Sequence, residues 1–289
     1  MVTIDSSRCN NCGACMDVCP ALVIEEKNGK AFPVNTEVCI SCWHCVAVCP
    51  KEAVQSSKFD KDMFRPQIDF VPQASKDEVR NLLIRRRSVR EFKNKEVPRE
   101  ILNDMVSVAS HSATGHNAQA VKLTVVTDRT LIENLDKRIF KLMSGALNTA
   151  ANPLTVPLLK TVGAKSAAKT LLGQKVALKR FANAPGDKGM HVFRGAPALV
   201  VTHHGTDAIS GKTDCVIASR DMMLFAEAAG LGCTWIGFLV MAAKVDPFLK
   251  KKLSVPALNR IGAAFIVGWP RRQYKRIIPR KPLKIKWLD

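Results

Sequence analysis

The chain has 289 residues, 47% of them hydrophobic and 24% charged, the composition of a soluble globular protein with room for two domains. Its apolar runs are broken by charge, as at Arg220, Asp221 and Glu227 within 213–229, so none reaches the ~20 apolar residues of a membrane-spanning helix. The net charge of +19 is uneven, because residues 1–60 carry −2 and the remainder +21. A basic body suits a nucleic acid, a phosphorylated cofactor or an acidic redox partner. With 6% aromatic residues and neither an RNA-binding aromatic signature nor zinc-finger spacing, nucleic acid is the weakest of these. The N-terminus MVTIDSSRCN lacks the apolar core of a signal peptide, so a cytoplasmic address is expected.

Eight of the ten cysteines lie in the first 49 residues, in two copies of one spacing: Cys9, Cys12, Cys15, Cys19-Pro20 and Cys39, Cys42, Cys45, Cys49-Pro50. Between the copies, LVIEEKNGKAFPVN reads as two short strands around an Asn28-Gly29 turn. Disulfides are disfavoured, because nothing points to secretion and two-residue gaps suit chelation. Zinc would use paired Cys-x-x-Cys units and leave the third cysteine and the Cys-Pro of each copy unexplained. Two [4Fe–4S] clusters use every cysteine, with the pre-proline cysteine of each copy crossing to the other cube. That reading assigns Cys9, Cys12, Cys15 and Cys49 to one cluster, and Cys39, Cys42, Cys45 and Cys19 to the second. Residues 1–60 thus resemble a bacterial two-cluster ferredoxin, which implies an electron carrier with no substrate pocket of its own. His44 is not needed as a ligand. Trp43 stands where the first copy has Gly13, as an apolar cover over the second cluster.

Residues 61–74, with Pro66 and Pro72, read as an extended linker. Ser75 and Glu78 form a capping box that opens a helix through Val79, Leu82 and Leu83. The helix runs into RRRSVREF (85–92), which taken alone reads as a solvated basic turn. Pro98 starts a second helix with Ile101, Leu102, Met105 and Val106 at helical spacing, ending in the polar loop 110–119 before the strand VKLTVVTD. An apolar strand at 197–202, an alanine-rich helix at 213–229 stopping at Gly230, the stretch GLGCTWIGF and a strand at 261–270 complete the pattern before a basic tail.

Four motifs in this order, Arg86–Phe92, Thr114–Gln119, Gly230–Phe238 and Arg276–Pro282, resemble the nitroreductase superfamily of FMN-dependent enzymes over about 75–289. The resemblance implies an α+β fold, a central antiparallel sheet flanked by helices, and an intertwined homodimer with FMN at each interface. It places Arg86, Arg87, Ser88 and Arg90 on the FMN phosphate and ribityl chain, and Asn117 and Gln119 in a loop meeting the flavin. Gly230, Leu231, Gly232, Trp235 and Ile236 would bring backbone amides to the isoalloxazine ring, and Arg276 and Arg280 would add phosphate contacts. Guanidinium groups suit a near-dianionic phosphate, and glycines permit close backbone approach. The sequence departs from the family after Gln119, where Ala120-Val121 replace the common proline and aromatic. The alanine- and lysine-rich stretch 141–194 matches a region that covers the flavin in the family, with Phe193 and Arg194 as candidate lid residues.

No dinucleotide fingerprint, Ser-His-Asp set or carboxylate pair is present. His203-His204 are read as structural, and Cys215 and Cys233 as small buried hydrophobes. The expected organisation is a ferredoxin-like domain at 1–60, a linker at 61–74 and an FMN domain at 75–289. The expected activity passes electrons between two [4Fe–4S] clusters and FMN to reduce a small-molecule acceptor: a nitroaromatic, a quinone or an activated alkene. NAD(P)H and a ferredoxin-type protein are the donors this admits. A non-enzymatic carrier or redox sensor, and the reverse reaction with electrons leaving through the clusters, remain alternatives.

Overall fold

The computed structural model of the chain describes residues 2–57, 74–150, 173, 176 and 192–288. The linker expected over 61–74, apart from Ala74, lies outside these residues, as does most of the 141–194 stretch. The chain separates into two compact units, Met1–Ser75 with His116–Ala118, and Lys76–Gly115 with Gln119–Asp289.

The first unit is built twice from one backbone plan. Strands β1 (Val2–Ile4) and β4 (Val54–Ser56) pair antiparallel with Thr3 opposite Gln55. Strands β2 (Ile24–Lys27) and β3 (Lys30–Pro33) form the hairpin expected at Asn28-Gly29, both in the left-handed region that such a two-residue turn requires. One-turn helices α1 (Ala14–Asp17) and α2 (His44–Ala47) follow Gly13 and Trp43, thirty positions apart. The repeat extends to the dihedrals, since positive φ recurs at Asn11 and Ser41, Gly13 and Trp43, and Leu22 and Glu52. Val2, Val23, Ile24, Ala31 and Val54 form a small core with the buried Cys15 and Cys45.

The second unit carries a four-stranded antiparallel sheet in the order β5 (Lys122–Val126), β6 (Ala198–His204), β8 (Arg260–Gly268), β7 (Gly232–Trp235). Both faces of its central strands are covered, which explains the continuous apolar runs at ALVVT and GAAFIVG. Leu199, Val201, Ala264 and Ile266 point into one core layer with Ile132, Leu135 and Ile139 of α5 (Arg129–Ala150) and Leu239 of α7 (Gly237–Ala242). Ala198, Val200, Phe265 and Val267 point into the other, with Leu102 and Met105 of α4 (Arg99–Ser107) and Met222, Met223 and Ala226 of α6 (Gly211–Ala228). The apolar face of α6 is therefore covered by this chain's own sheet. Helices α3 (Lys76–Arg85) and α8 (Pro247–Lys252) complete the unit, and Asp246 caps α8 by accepting the Phe248 N–H.

Helix α6 ends where the sequence reading placed its stop. Gly230 adopts φ +76, its N–H donates to Glu227 O, and the Leu231 N–H reaches back to Ala226 O. These bonds make a Schellman motif, for which glycine is the favoured residue. At its other end α6 presses on β8 at Gly262, where any side chain would run into Cβ and Sγ of the buried Cys215. Gly262→Ala should therefore lower stability by about 1–3 kcal/mol, seen as a lower melting temperature. An unchanged transition would show that α6 can retreat from the sheet at little cost.

Candidate functional site

The eight N-terminal cysteines converge on two cavities in the first unit. One is lined by Cys9, Cys12, Cys15 and Cys49, the other by Cys19, Cys39, Cys42 and Cys45. Each cavity thus collects three cysteines of one repeat and the pre-proline cysteine of the other. Main-chain N–H groups point at these sulfurs: Ala53 N to Cys49 Sγ at 3.2 Å, Val23 N to Cys19 Sγ at 3.4 Å and Asn11 N to Cys9 Sγ at 3.4 Å. Burial raises the free thiols of Cys15 and Cys45, the latter to about 11, so binding a metal there must displace protons. Among the described residues no three His, Cys, Asp or Glu side chains meet at a single-ion position. A cube takes one thiolate at each of its irons, so its cysteines need not meet at a point. His44 is exposed and lines neither cavity. Trp43 lines the second cavity, with its indole Nε1 donating to Ser56 Oγ at 2.8 Å.

In the second unit the arginine segment is pinned between α3 and β7. Ser88 bridges Cys233 in parallel, and the Val89 N–H donates to Cys233 O at 3.0 Å. Arg87 turns back on the helix end, Nη1 donating to Ile84 O at 2.7 Å and Arg86 O at 2.9 Å, so its guanidinium caps α3. Arg90 Nη1 and the Tyr274 hydroxyl both donate to Ser88 O, at 3.3 and 3.5 Å. Arg86 Nη1, like Arg87 Nε, is buried with no hydrogen-bond partner among the described residues. Arg220 of α6 has the same unpartnered, buried Nη1, and burial together with the nearby Arg86 charge lowers its pKa. Sequence reading missed Arg220, although a lone arginine inside an alanine-rich apolar helix was the available signal.

Arg87, Gly230, Leu231 and Arg276 line one cavity of about 470 Å³, with Trp269 and Tyr274 among its other walls. Arg280 lies exposed in the tail, and no described contact joins it to this group. The amide expectation for the glycine stretch needs correction. The N–H groups of Gly230 and Leu231 close the Schellman motif, and that of Ile236 donates to Ala264 O at 2.8 Å. Leu231 and Ile236 also bury their side chains, whereas Trp235 stays partly exposed with its ring edge-on to Phe265 at 6.3 Å. Gln119, at φ +47, donates its N–H to Thr114 Oγ1. Asn117, which groups with the first unit, donates from Nδ2 to Ser41 O at 2.8 Å and Ile40 O at 3.3 Å.

Phe193 is fully buried in the core, which removes it as a lid residue. The buried carboxylate of Asp136 ties it down, with Oδ1 accepting the N–H groups of Val192 at 2.8 Å and Phe193 at 2.5 Å. Arg194, at φ +58, has its pKa lowered by burial and by Arg90, and raised by Asp136. His203 is buried against Asn259 Nδ2 at 2.9 Å, and His204 meets Gly205 O at 2.7 Å, both structural contacts. Cys215 and Cys233 are buried, with burial raising both thiols.

The nitroreductase family profile matches residues 83–269, and a 4Fe-4S dicluster domain profile matches residues 1–50. The first match spans more than half of the chain. The chain belongs to the nitroreductase family, and a 4Fe–4S ferredoxin domain precedes the matched region, as the sequence resemblance implied. Ferredoxin-2 of Desulfomicrobium norvegicum (strain DSM 1741 / NCIMB 8310) is 56% identical over 32 residues, which are 11% of this chain and 54% of that protein. The chain therefore spans about half the length of that curated relative. Among solved structures, a nitroreductase with bound FMN from Bacteroides fragilis NCTC 9343 is 21% identical, with a TM-score of 0.53 over 73% of this chain and 99% of that one. A nitroreductase with bound FMN from Desulfitobacterium hafniense DCB-2 is 20% identical, with a TM-score of 0.53 over 72% and 97%. Iodotyrosine deiodinase bound to FMN and 3-iodo-L-tyrosine gives 20% and 0.53 over 73% and 99%. These likenesses establish the fold, the mixed α+β class expected from the sequence.

Asp136 makes the second unit pH-sensitive. Burial raises its pKa from 3.8 to about 6, the two N–H donors and Arg194 opposing that rise. The folded state therefore holds the proton more tightly than the unfolded chain. Stability from this group is complete below about 3.8 and falls as pH rises through about 6. Asp136→Asn keeps an acceptor for Val192 and Phe193 without the charge. It should stabilise the protein by about 1–3 kcal/mol at pH 8, a gain that disappears towards pH 4. Equal loss of stability at both pH values would show instead that the charge itself is needed.

Proposed function

We propose that the protein is an iron–sulfur flavoenzyme that passes electrons between two [4Fe–4S] clusters and FMN to reduce a small organic acceptor. The acceptor class is a nitroaromatic, a quinone or an activated alkene. What carries the proposal is the coexistence, in one chain, of two four-cysteine cavities and a buried pair of unpartnered guanidinium nitrogens on Arg86 and Arg220. The thiol sets suit iron–sulfur cubes, and the arginine pair suits a phosphate, because each buried N–H then gains a charged acceptor.

When bound, the flavin supplies the two-electron chemistry and the clusters the one-electron carriage. The chain's own groups bind and orient. Cys9, Cys12, Cys15 and Cys49 are assigned to one cluster, and Cys39, Cys42, Cys45 and Cys19 to the other. Arg86, Ser88 and Arg90 are assigned to the phosphate and ribityl chain, with Arg276 and Arg280 adding positive charge from the tail. Arg87 contributes by fixing the turn, since its Nη1 is spent on the carbonyls of Ile84 and Arg86. Gly232 and the partly exposed Trp235 are assigned to the ring side, and Asn117 and Gln119 to the adjoining loop. Donors of the class NAD(P)H or reduced ferredoxin fit this scheme.

A homodimer is part of the same proposal. Its support is the apolar surface left on α3 at Val79 and Leu83 and along the tail at Ile277, Leu283 and Trp287. A cytoplasmic address is supported by ten cysteines that form no disulfide, and no described helix is long and apolar enough to cross a membrane.

Anaerobic photoreduction followed at the flavin band tests the function, with oxidised acceptor then added in excess. The flavin should bleach with the clusters and reoxidise at the acceptor's expense. Clusters that reduce while FMN stays oxidised, or reduced flavin inert to every acceptor class, would leave an electron carrier or sensor instead. Arg86→Ala should weaken FMN binding roughly 10- to 100-fold, the worth of one hydrogen bond to a charged group. Flavin fluorescence titration measures it, and unchanged affinity would remove Arg86 from the site.

A further inference from the structure

The two cysteine cavities share a backbone but not a cover. At the position before each short helix the chain needs a left-handed residue. Gly13 fills it at φ +80 in the first copy and Trp43 at φ +54 in the second. Glycine adopts that conformation without strain, whereas a bulky side chain there is a backbone outlier that persists only where its surroundings hold it. Trp43 is held. Its indole N–H donates to Ser56 Oγ at 2.8 Å, so the ring is tied to the last residue of β4 and lines the second cavity. The first copy has no such ring, although a Cβ at Gly13 would meet nothing closer than Met16 Cε at 3.7 Å. Room for a Cβ therefore does not explain why the first copy keeps glycine.

Charge differs in the same sense. Glu37 lines the cavity of Cys19, Cys39, Cys42 and Cys45, while among the described residues no charged one lines that of Cys9, Cys12, Cys15 and Cys49. An iron–sulfur cluster becomes more negative on accepting an electron, and water stabilises the more negative state. A ring that excludes water and a carboxylate nearby both oppose that charge.

We propose that Trp43 is a positioning residue that, with Glu37, makes the second cluster the lower-potential one, so that the duplicated head holds two unequal electron sites. This rests on the two-cluster reading above, and the test separates the two. The full chain with both cofactors is titrated anaerobically against potential and followed by electron paramagnetic resonance, as wild type, Trp43→Gly, Trp43→Phe and Ser56→Ala. Iron is counted in each preparation.

The wild type should show two resolved one-electron steps and about eight iron atoms per chain. Trp43→Gly, which restores the residue of the first copy, should raise the lower step towards the upper one and leave the upper in place. Trp43→Phe keeps a ring without the N–H, and Ser56→Ala frees the ring from its tether. Both should raise the lower step less than glycine does. Fully loaded Trp43→Gly protein with both steps unmoved, or with only the upper step moved, overturns the role of Trp43. A wild-type content of about four iron atoms overturns the two-cluster reading itself.

Discussion

The lodging of Val89 against Gly232 is the contact on which the arginine segment depends. A side chain at 232 would run into Cβ and both γ-carbons of Val89, so glycine lets the two backbones close. The Ser88–Cys233 bridge and the Val89 N–H bond to Cys233 O then fasten segment to sheet, and Arg87 fastens its other side to α3. Arg86 is thereby fixed close enough to Arg220 to depress that side chain's pKa. Two free guanidinium groups would separate into water, because like charges repel and each prefers hydration. Here one Nη1 of each stays buried without a hydrogen-bond partner among the described residues, a cost that an anion would offset.

Local rules made much of this fold legible in the sequence. The Asn28-Gly29 hairpin, the glycine stop of α6 and the thirty-residue cysteine repeat each depend on residues near one another in the chain. The gathering of Cys49 with the first repeat's cysteines and of Cys19 with the second's matches the ligand pattern of the two-cluster ferredoxins that the spacing resembles. What escaped reading depends on distant pairing. Asp136 meets Val192 and Phe193 across more than fifty positions, and Arg86 and Arg220 are separated by more than a hundred. Nothing in the local pattern around Phe193 separates a core residue from a lid. Likewise GLGCTWIG marks a close backbone approach correctly but not its partner. Three of its amides serve the fold itself, through the Schellman motif and β8.

The duplication explains how a small unit places eight sulfurs accurately. Equivalent hydrogen bonds recur thirty positions apart: Val18 N–H to Ala14 O and Val48 N–H to His44 O, Cys19 N–H to Met16 O and Cys49 N–H to Val46 O, Leu22 N–H to Cys19 O and Glu52 N–H to Cys49 O. The left-handed residues recur with them. Sulfur geometry is thus set by main chain, where substitution has least leverage, and side chains around each cavity can diverge without disturbing it. The resulting asymmetry is chemical, not geometric.

The two units solve the problem of stability by different means. The first has only a few aliphatic residues in its core, and its buried cysteines occupy much of the rest. A unit of that size seldom folds on apolar burial alone, and here no disulfide closes it. Metal binding must then supply folding free energy directly, so removing iron should remove the order of the head along with its electron chemistry. The second unit has a sheet buried on both faces, an apolar core far larger than that of the first. Arg86 and Arg220 each leave a buried Nη1 without a hydrogen-bond partner among the described residues, so an anion bound there would stabilise the unit by mass action. Iron would therefore contribute most of the stability of the first unit, while an anion would add to a second unit with an apolar core of its own.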